Sequence, residues 1–334
     1  VMKALGKTAA LLGLGLLTVS CKGVTLAQVA NVAGRTVNNS AASQKQRDEC
    51  EKLDVEPTVQ EEYAIGSAMA VHWVEGGGGL MGATGGAKDT RVHAVHDYLN
   101  TVGKNLGAQS PRPTLDWTFG VLNDDQNFNA VSTPGAYVFV TRKLLSELDN
   151  ESQLAGVLAH EIAHVVLKHS IQQYNAAKVS LCKVAVTMEA NVRGSGQLIA
   201  AGGSGGNLDL DSDTALLGDL TEKVIGLAES GNDKEQEYAA DQLAARLMIS
   251  AGYDPKEYIT VLGKTKDGSR LGSRHPKKAD REEKLKTFLE SLKPREGEFA
   301  ELSLEGLRSP PLQPELVAAV KKGAGRSSVA NDGK

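Results

Sequence analysis

Three histidines and a glutamate lie close together in LAHEIAHVVLKHS, residues 158–170. At about 100° per residue a helix through this stretch carries Leu154, Leu158, Ile162, Val165 and Val166 as one apolar stripe facing a core. His160 and His164 are one turn apart on a different face, so two imidazole nitrogens can reach one ion. Glu161 sits at the edge of that face. His169 falls on the apolar stripe, roughly opposite His160, and reads as a packed or hydrogen-bonded histidine rather than a ligand. The surrounding run GVLAHEIAHVVL is almost wholly apolar. Unpaired His and Glu would be costly to bury there, and a metal would satisfy them.

The HExxH spacing suits catalytic zinc, which takes three protein ligands and leaves a fourth position to water. A carboxylate beside the first ligand can take the proton of that water and later give it to a leaving amine. Glu161 occupies that place. The third ligand is not a histidine of the extended pattern HExxHxxGxxH, because Leu167 and Ser170 stand where Gly and His would be. A downstream carboxylate is left, and the best candidate lies in DKEQEYAADQLAARLMISAGYDP, residues 233–255. Leu243, Leu247 and Met248 form its apolar stripe, and Glu237 and Asp241 are one turn apart on a single face. Glu237 can then be the third ligand. Asp241 can accept the second N–H of a ligating histidine and fix the ring. Glu235 points about 200° away from Glu237 and reads as solvated.

Three ordered segments now stand together: FNAVSTPGAYVFVTRKLLSELDNESQLAGVLAHEIAHVVLKHS, EQEYAADQLAARLMISAGYDP and SRHPKKADREEKLK. From about Glu61 to about Leu292 the chain resembles the HtpX-like and CAAX-prenyl-protease-like zinc metallopeptidases, peptidase family M48. The resemblance implies a gluzincin-type zincin, an α+β fold that is mostly helical with a small mixed sheet. It implies one zinc held by His160, His164 and Glu237, with Glu161 as catalytic base and Asp241 as the partner behind a ligand. His275 matches a family histidine on a loop near the metal, and Arg281 the arginine that follows it. As imidazolium His275 can stabilise a developing oxyanion; as neutral imidazole it can fill the fourth position and hold the enzyme latent.

The strand AYVFVT, residues 136–141, follows a Pro134-Gly135 turn signal. As an edge strand, Ala136, Tyr137, Val138 and Phe139 can pair with an extended polypeptide substrate. As a core strand they would simply pack. The resemblance favours the edge role.

A chain of 334 residues with 41% hydrophobic content can bury a substantial core. The net charge of −4 and the lack of a basic cluster exclude a nucleic-acid partner, and 4% aromatic residues leave no stacking platform for single strands. At the N-terminus Met2, Lys3 and Lys7 make a basic n-region and Ala9 to Leu17 an apolar stretch too short for an ordinary span. Ser20-Cys21 fits the end of a bacterial lipobox, which would make Cys21 a lipidated N-terminus anchored to the outer membrane and facing the periplasm. The competing expectation is cleavage after Ala27 and a soluble periplasmic enzyme. No second apolar stretch is long and uncharged enough to cross a bilayer, so the cleft should face periplasmic water.

Cys50 and Cys182 would then lie in an oxidising compartment, as a disulfide or as two buried thiols. Glycine-rich stretches at 75–89 and 193–207 read as flexible loops without a phosphate-binding pattern, and the second lies between the two metal-binding helices, as a mobile lid or a slack insertion. His93 and His96 share a helix face but have no converging carboxylate. The expected organisation is a lipoprotein-type signal peptide at 1–20, an N-terminal linker or helix at 21–58, a zinc metallopeptidase domain at 59–292 and a partly disordered tail at 293–334. The expected activity is hydrolysis of peptide bonds in the cell envelope. The rival is a chaperone-like factor of the envelope assembly machinery whose zinc site is latent.

Overall fold

The computed structural model describes residues 47–82, 90–189, 226, 232–265, 277–292 and 304–322. The elements run α1 (Val59–Gly76), α2 (Thr90–Ala108), β1 (Thr118–Leu122), β2 (Ala130–Thr133), β3 (Tyr137–Thr141), α3 (Arg142–Glu147), α4 (Glu151–Val166), α5 (His169–Glu189), α6 (Lys234–Ser250), α7 (Lys256–Lys264), α8 (Lys278–Ser291) and α9 (Pro314–Lys322). The result is an α+β fold, mostly helical around a small mixed sheet, as the sequence predicts.

The sheet has strand order β1-β3-β2, with β1 parallel and β2 antiparallel to β3. Alternation divides its side chains between two layers. Phe119, Val121, Val138 and Val140 enter the main core with Val95, Leu99, Leu154 and Leu158 of α2 and α4. Leu122, Val131 and Phe139 pack on the opposite side with Ala70 of α1. Helix α1 approaches so closely that a Cβ on Gly66 would lie 1.6 Å from the Pro134 carbonyl oxygen, so only glycine fits there.

This topology corrects the expectation for residues 136–139. Tyr137, Val138 and Phe139 belong to the central strand, hydrogen-bonded to β1 on one side and β2 on the other. Ala136, fully buried at the turn into that strand, holds a left-handed φ of 69°. A run this apolar is what a strand with two covered faces requires, and periodicity cannot tell it from an exposed edge. The outer side of β1 is occupied too, because Met81 N donates to Val121 O and Asn123 N to Gly79 O. The side left open among the described residues is that of β2. Thr141 N donates to Asn129 O, so antiparallel alternation turns the backbone groups of Ala130 and Ser132 outward.

Helix α4 starts where the Asn150 side chain accepts from Gln153 N and closes at Leu167. Lys168 then takes φ 58°, and α5 begins at His169. The expected single helix over 158–170 is therefore two. Helix α6 opens with a capping box between Asp233 and Gln236.

Residues 304–322 lie inside the stretch expected to be partly disordered, yet they complete the core: Leu312, Leu316 and Val320 are buried in it, and Ser152 Oγ donates to Arg308 O over 2.7 Å. Apolar spacing in a short segment after Pro and charge is a weak signal, and the burial comes from α2 and α3. Cys50 and Cys182 form a disulfide, resolving the alternative left open above. It ties a helical turn at residues 47–51 to α5, where Asn175 Nδ2 also donates to Val55 O over 3.1 Å. No helix among the described residues is long and apolar enough to cross a membrane. Residues 1–20 with Cys21, the glycine-rich segment 193–207, His275 and the end of the chain from 323 lie outside the described residues.

Candidate metal centre

Helices α4 and α6 pack directly on one another. Ala155, Ala159 and Ala163 on the first and Ala240 and Ala244 on the second are completely buried, and such small side chains let two helices come close. Short ligands can therefore meet. His160 Nε2 lies 3.0 Å from His164 Nε2, Glu237 Oε1 lies 3.4 Å from His164 Nε2, and Glu237 Oε2 lies 3.7 Å from His160 Nε2. A tetrahedral zinc at its usual bond lengths holds its ligand atoms roughly 3.3 Å apart. The donor set, two imidazoles and a carboxylate with atoms all within 4.8 Å of one another, fits that ion.

Every one of these side chains is held from behind. His160 Nδ1 stands 3.1 Å from Asp241 Oδ1. Asp241 is itself clamped by Arg281, whose Nε donates to Oδ2 over 2.8 Å and Nη2 to Oδ1 over 2.6 Å, and by the Tyr258 hydroxyl at 2.8 Å. Burial would raise the Asp241 carboxyl, but the Arg281 charge and hydrogen bond overcome it and hold it at about 2. Arg281 Nη1 also reaches Glu237 Oε2 at 3.1 Å. The structure thus places Asp241 and Arg281 together behind His160 and Glu237.

His169 has a role that the sequence reading left unspecified. It is 4% exposed, and its Nδ1 lies 2.7 Å from His164 Nδ1. The break at Lys168 turns α5 so that its first residue faces back onto the metal helix. If His164 offers Nε2 to an ion, its Nδ1 carries the proton and His169 accepts it. Burial, the largest influence, lowers the His169 pKa to about 4 and keeps that ring neutral, as an acceptor must be. Asn232 was not foreseen either: its Nδ2 donates to Glu237 Oε1 over 3.1 Å, and its Oδ1 accepts from Gln173 Nε2 over 3.2 Å. Tyr258 was likewise missed. His169 and Asn232 each lie five residues from the ligand they support, but beyond a helix boundary, at the break near Lys168 and before the Asp233 cap, and Tyr258 reaches Asp241 from the next helix. Helical periodicity carries no sign of such contacts.

Glu161 does not join the ligand cluster. Its Oε2 accepts a hydrogen bond of 2.8 Å from Ser132 Oγ on β2. Burial pushes its carboxyl above the ordinary range against the opposing influence of His160 and the Ser132 bond. A half-buried carboxylate of raised basicity beside a metal-binding cluster is suited to accept and return a proton.

The model of peptidase family M48 matches residues 92–289, which is more than half of the chain. The chain belongs to peptidase family M48. Among its relatives, the beta-barrel assembly-enhancing protease of Yersinia pestis is 28% identical over 249 residues, 70% of this chain and 49% of that protein. The protein of the same name from Escherichia coli (strain K12) is 31% identical over 179 residues, 54% of this chain and 34% of the relative. The mitochondrial metalloendopeptidase OMA1 of Schizosaccharomyces pombe is 29% identical over 206 residues, 59% of this chain and 54% of the relative. This M48 chain therefore spans between a third and about half of the length of these relatives. Residues 92–289 include α4, α6 and Arg281, so the matched region contains the whole cluster described above.

Proposed function

We propose that this M48 chain is a zinc-dependent endopeptidase that hydrolyses peptide bonds of misfolded or unassembled proteins of the bacterial envelope. The observation that carries the reading is the position of Glu161, adjacent to the converging His160, His164 and Glu237 yet bonded to the open strand β2 instead. One zinc held by those three residues supplies Lewis-acid activation of a water and of the scissile carbonyl. Glu161 accepts the proton of the attacking water and passes it to the leaving amine. Asp241, fixed by Arg281 and Tyr258, keeps His160 in the tautomer that offers Nε2. His275 completes the catalytic group, either as oxyanion donor or as the side chain that keeps the site latent. An extended substrate adds to the outward backbone groups of Ala130 and Ser132, so recognition runs through main chain with little sequence preference.

Several features support an envelope location. The Cys50–Cys182 disulfide suits an oxidising compartment, and the segment KALGKTAALLGLGLLTVSC suits lipidation at Cys21 and anchoring to the outer membrane, facing the periplasm. A mature N-terminus at Gln28 would instead mean a soluble periplasmic enzyme. The bacterial relatives are named beta-barrel assembly-enhancing protease, and the assembly part of that name also suits a second reading: an envelope assembly factor of chaperone type with a latent zinc site.

Digestion of casein by the wild type and by Glu161→Gln decides between them. On the peptidase reading the variant keeps its zinc and loses about two to four orders of magnitude in rate. Equal digestion by both proteins would refute the role of Glu161. If neither protein digests and both restore an envelope assembly defect, the second reading replaces the first.

A further inference from the structure

We infer that Ser132 is the positioning residue for the general base: its hydroxyl fixes the Glu161 carboxylate at the strand edge that receives the substrate, so one residue ties substrate docking to the proton acceptor. The inference rests on the peptidase reading above. Ser132 Oγ donates to Glu161 Oε2 over 2.8 Å, and among the described residues that carboxylate takes no other side-chain hydrogen bond. A glutamate carries several rotatable bonds, and where one donor meets its carboxylate, that donor selects the rotamer.

The register explains why position 132 alone in β2 can do this. Ser132 lies opposite Val138, whose side chain enters the core beneath α4. Val131 and Thr133 point to the other layer, where Val131 packs beside Ala70 and Phe139 and Thr133 Oγ1 donates to Gly66 O over 3.0 Å. Ala130 shares the face of Ser132 but has no polar atom. The strand itself is a fixed frame, paired to β3 along its length and held at its end by the Thr133–Gly66 bond. Meanwhile the Ser132 backbone N–H and C=O face outward, where an extended chain would add. A peptide bonded to that backbone is thereby registered against the carboxylate that the same residue orients.

The test uses the full chain loaded with zinc and compares wild type, Ser132→Ala, Ser132→Thr and Glu161→Gln. Zinc content, kcat and KM on an unfolded protein substrate are measured for each, with a crystal structure of Ser132→Ala. Ser132→Ala is expected to retain one zinc, lose about tenfold in kcat with KM nearly unchanged, and show Glu161 displaced from the place it holds here. Ser132→Thr, which keeps the hydroxyl on a residue suited to strands, is expected to recover most of the rate. An unchanged kcat in Ser132→Ala, a loss that follows zinc content, or Thr performing no better than Ala would overturn the inference. If the wild type proves no faster than Glu161→Gln, the peptidase reading fails separately, and the Ser132→Ala structure still decides: Glu161 unmoved refutes the positioning role, and Glu161 displaced upholds it.

Discussion

The candidate ligand cluster and Glu161, the proposed proton acceptor, adjoin each other in sequence and are held in opposite ways. His160 is backed by Asp241, His164 by His169, and Glu237 by Arg281 and Asn232. These supports come from α5, α6, α8 and the residue before the α6 cap. Glu161 is held by Ser132 alone among the described residues. An ion site of three ligands needs lengths and angles fixed within tenths of an ångström, and redundancy supplies that. A group that must take a proton from one partner and hand it to another works with a looser hold. The difference predicts that damage to the cluster is read first in metal content, and damage to the Glu161 contact in rate.

The largest effect on metal follows from Glu237→Ala. It removes a ligand and leaves Arg281 with one carboxylate instead of two. Elemental analysis after mild chelation should find the variant stripped while wild type stays loaded, a loss well beyond the roughly 10–100-fold cost of losing an outer partner. Helix content should change little, because the α4 and α6 cores rest on buried alanines and leucines. Full metal retention would remove Glu237 from the ligand set.

The cluster is legible in the sequence, and most of what supports it is not, for identifiable reasons. His160, Glu161 and His164 sit at fixed spacing on one helix, so periodicity alone brings them together. Glu237 and Asp241 are one turn apart on another, and helical geometry again suffices. Arg281 was reached through the family resemblance only. Sequence failed where pairing or chain reversal decides. The run 136–141 is equally apolar as core or edge, and only the β1 and β2 partners settle that it is central. The break at Lys168 lies in a stretch without Gly or Pro, so nothing local announces that His169 begins a second helix. Ser132 gave no signal, because its partner lies across the sheet–helix interface. The core role of Leu312, Leu316 and Val320 was hidden for the same reason.

A smaller effect sharpens the comparison. His169→Phe keeps an aromatic side chain and removes the acceptor for His164 Nδ1. With no partner to hold its proton, His164 should ligate in a less fixed orientation, and zinc affinity measured against a competing chelator should fall by about 10–100-fold. The melting temperature of the metal-free protein should move little, since the substitution leaves an apolar ring in a buried place. An affinity equal to wild type would mean that the helix alone orients His164, and the cluster would then be less redundantly supported than the distances imply.

The last test asks how far that support extends. The Cys50–Cys182 disulfide spans a sequence separation of 132 and fastens the N-terminal turn to the same helix, α5, that carries His169 and Gln173. On the chain-entropy account its loss in Cys50→Ser costs about 4–5 kcal/mol, a fall in melting temperature of order 10 °C for a domain this size. Yet the first turns of α5 have their own local anchors: Gln172 Oε1 accepts from Gln236 Nε2 over 2.9 Å, and Gln173 reaches Asn232. These bonds lie between the disulfide and the metal cluster along α5, so the cluster should not feel the cut. Zinc affinity of Cys50→Ser should stay within about twofold of wild type, as expected for sites that share no partner. If affinity drops together with melting temperature, the anchors at Gln172 and Gln173 are insufficient, and the N-terminal segment has to be counted among the elements that hold the ligands in place.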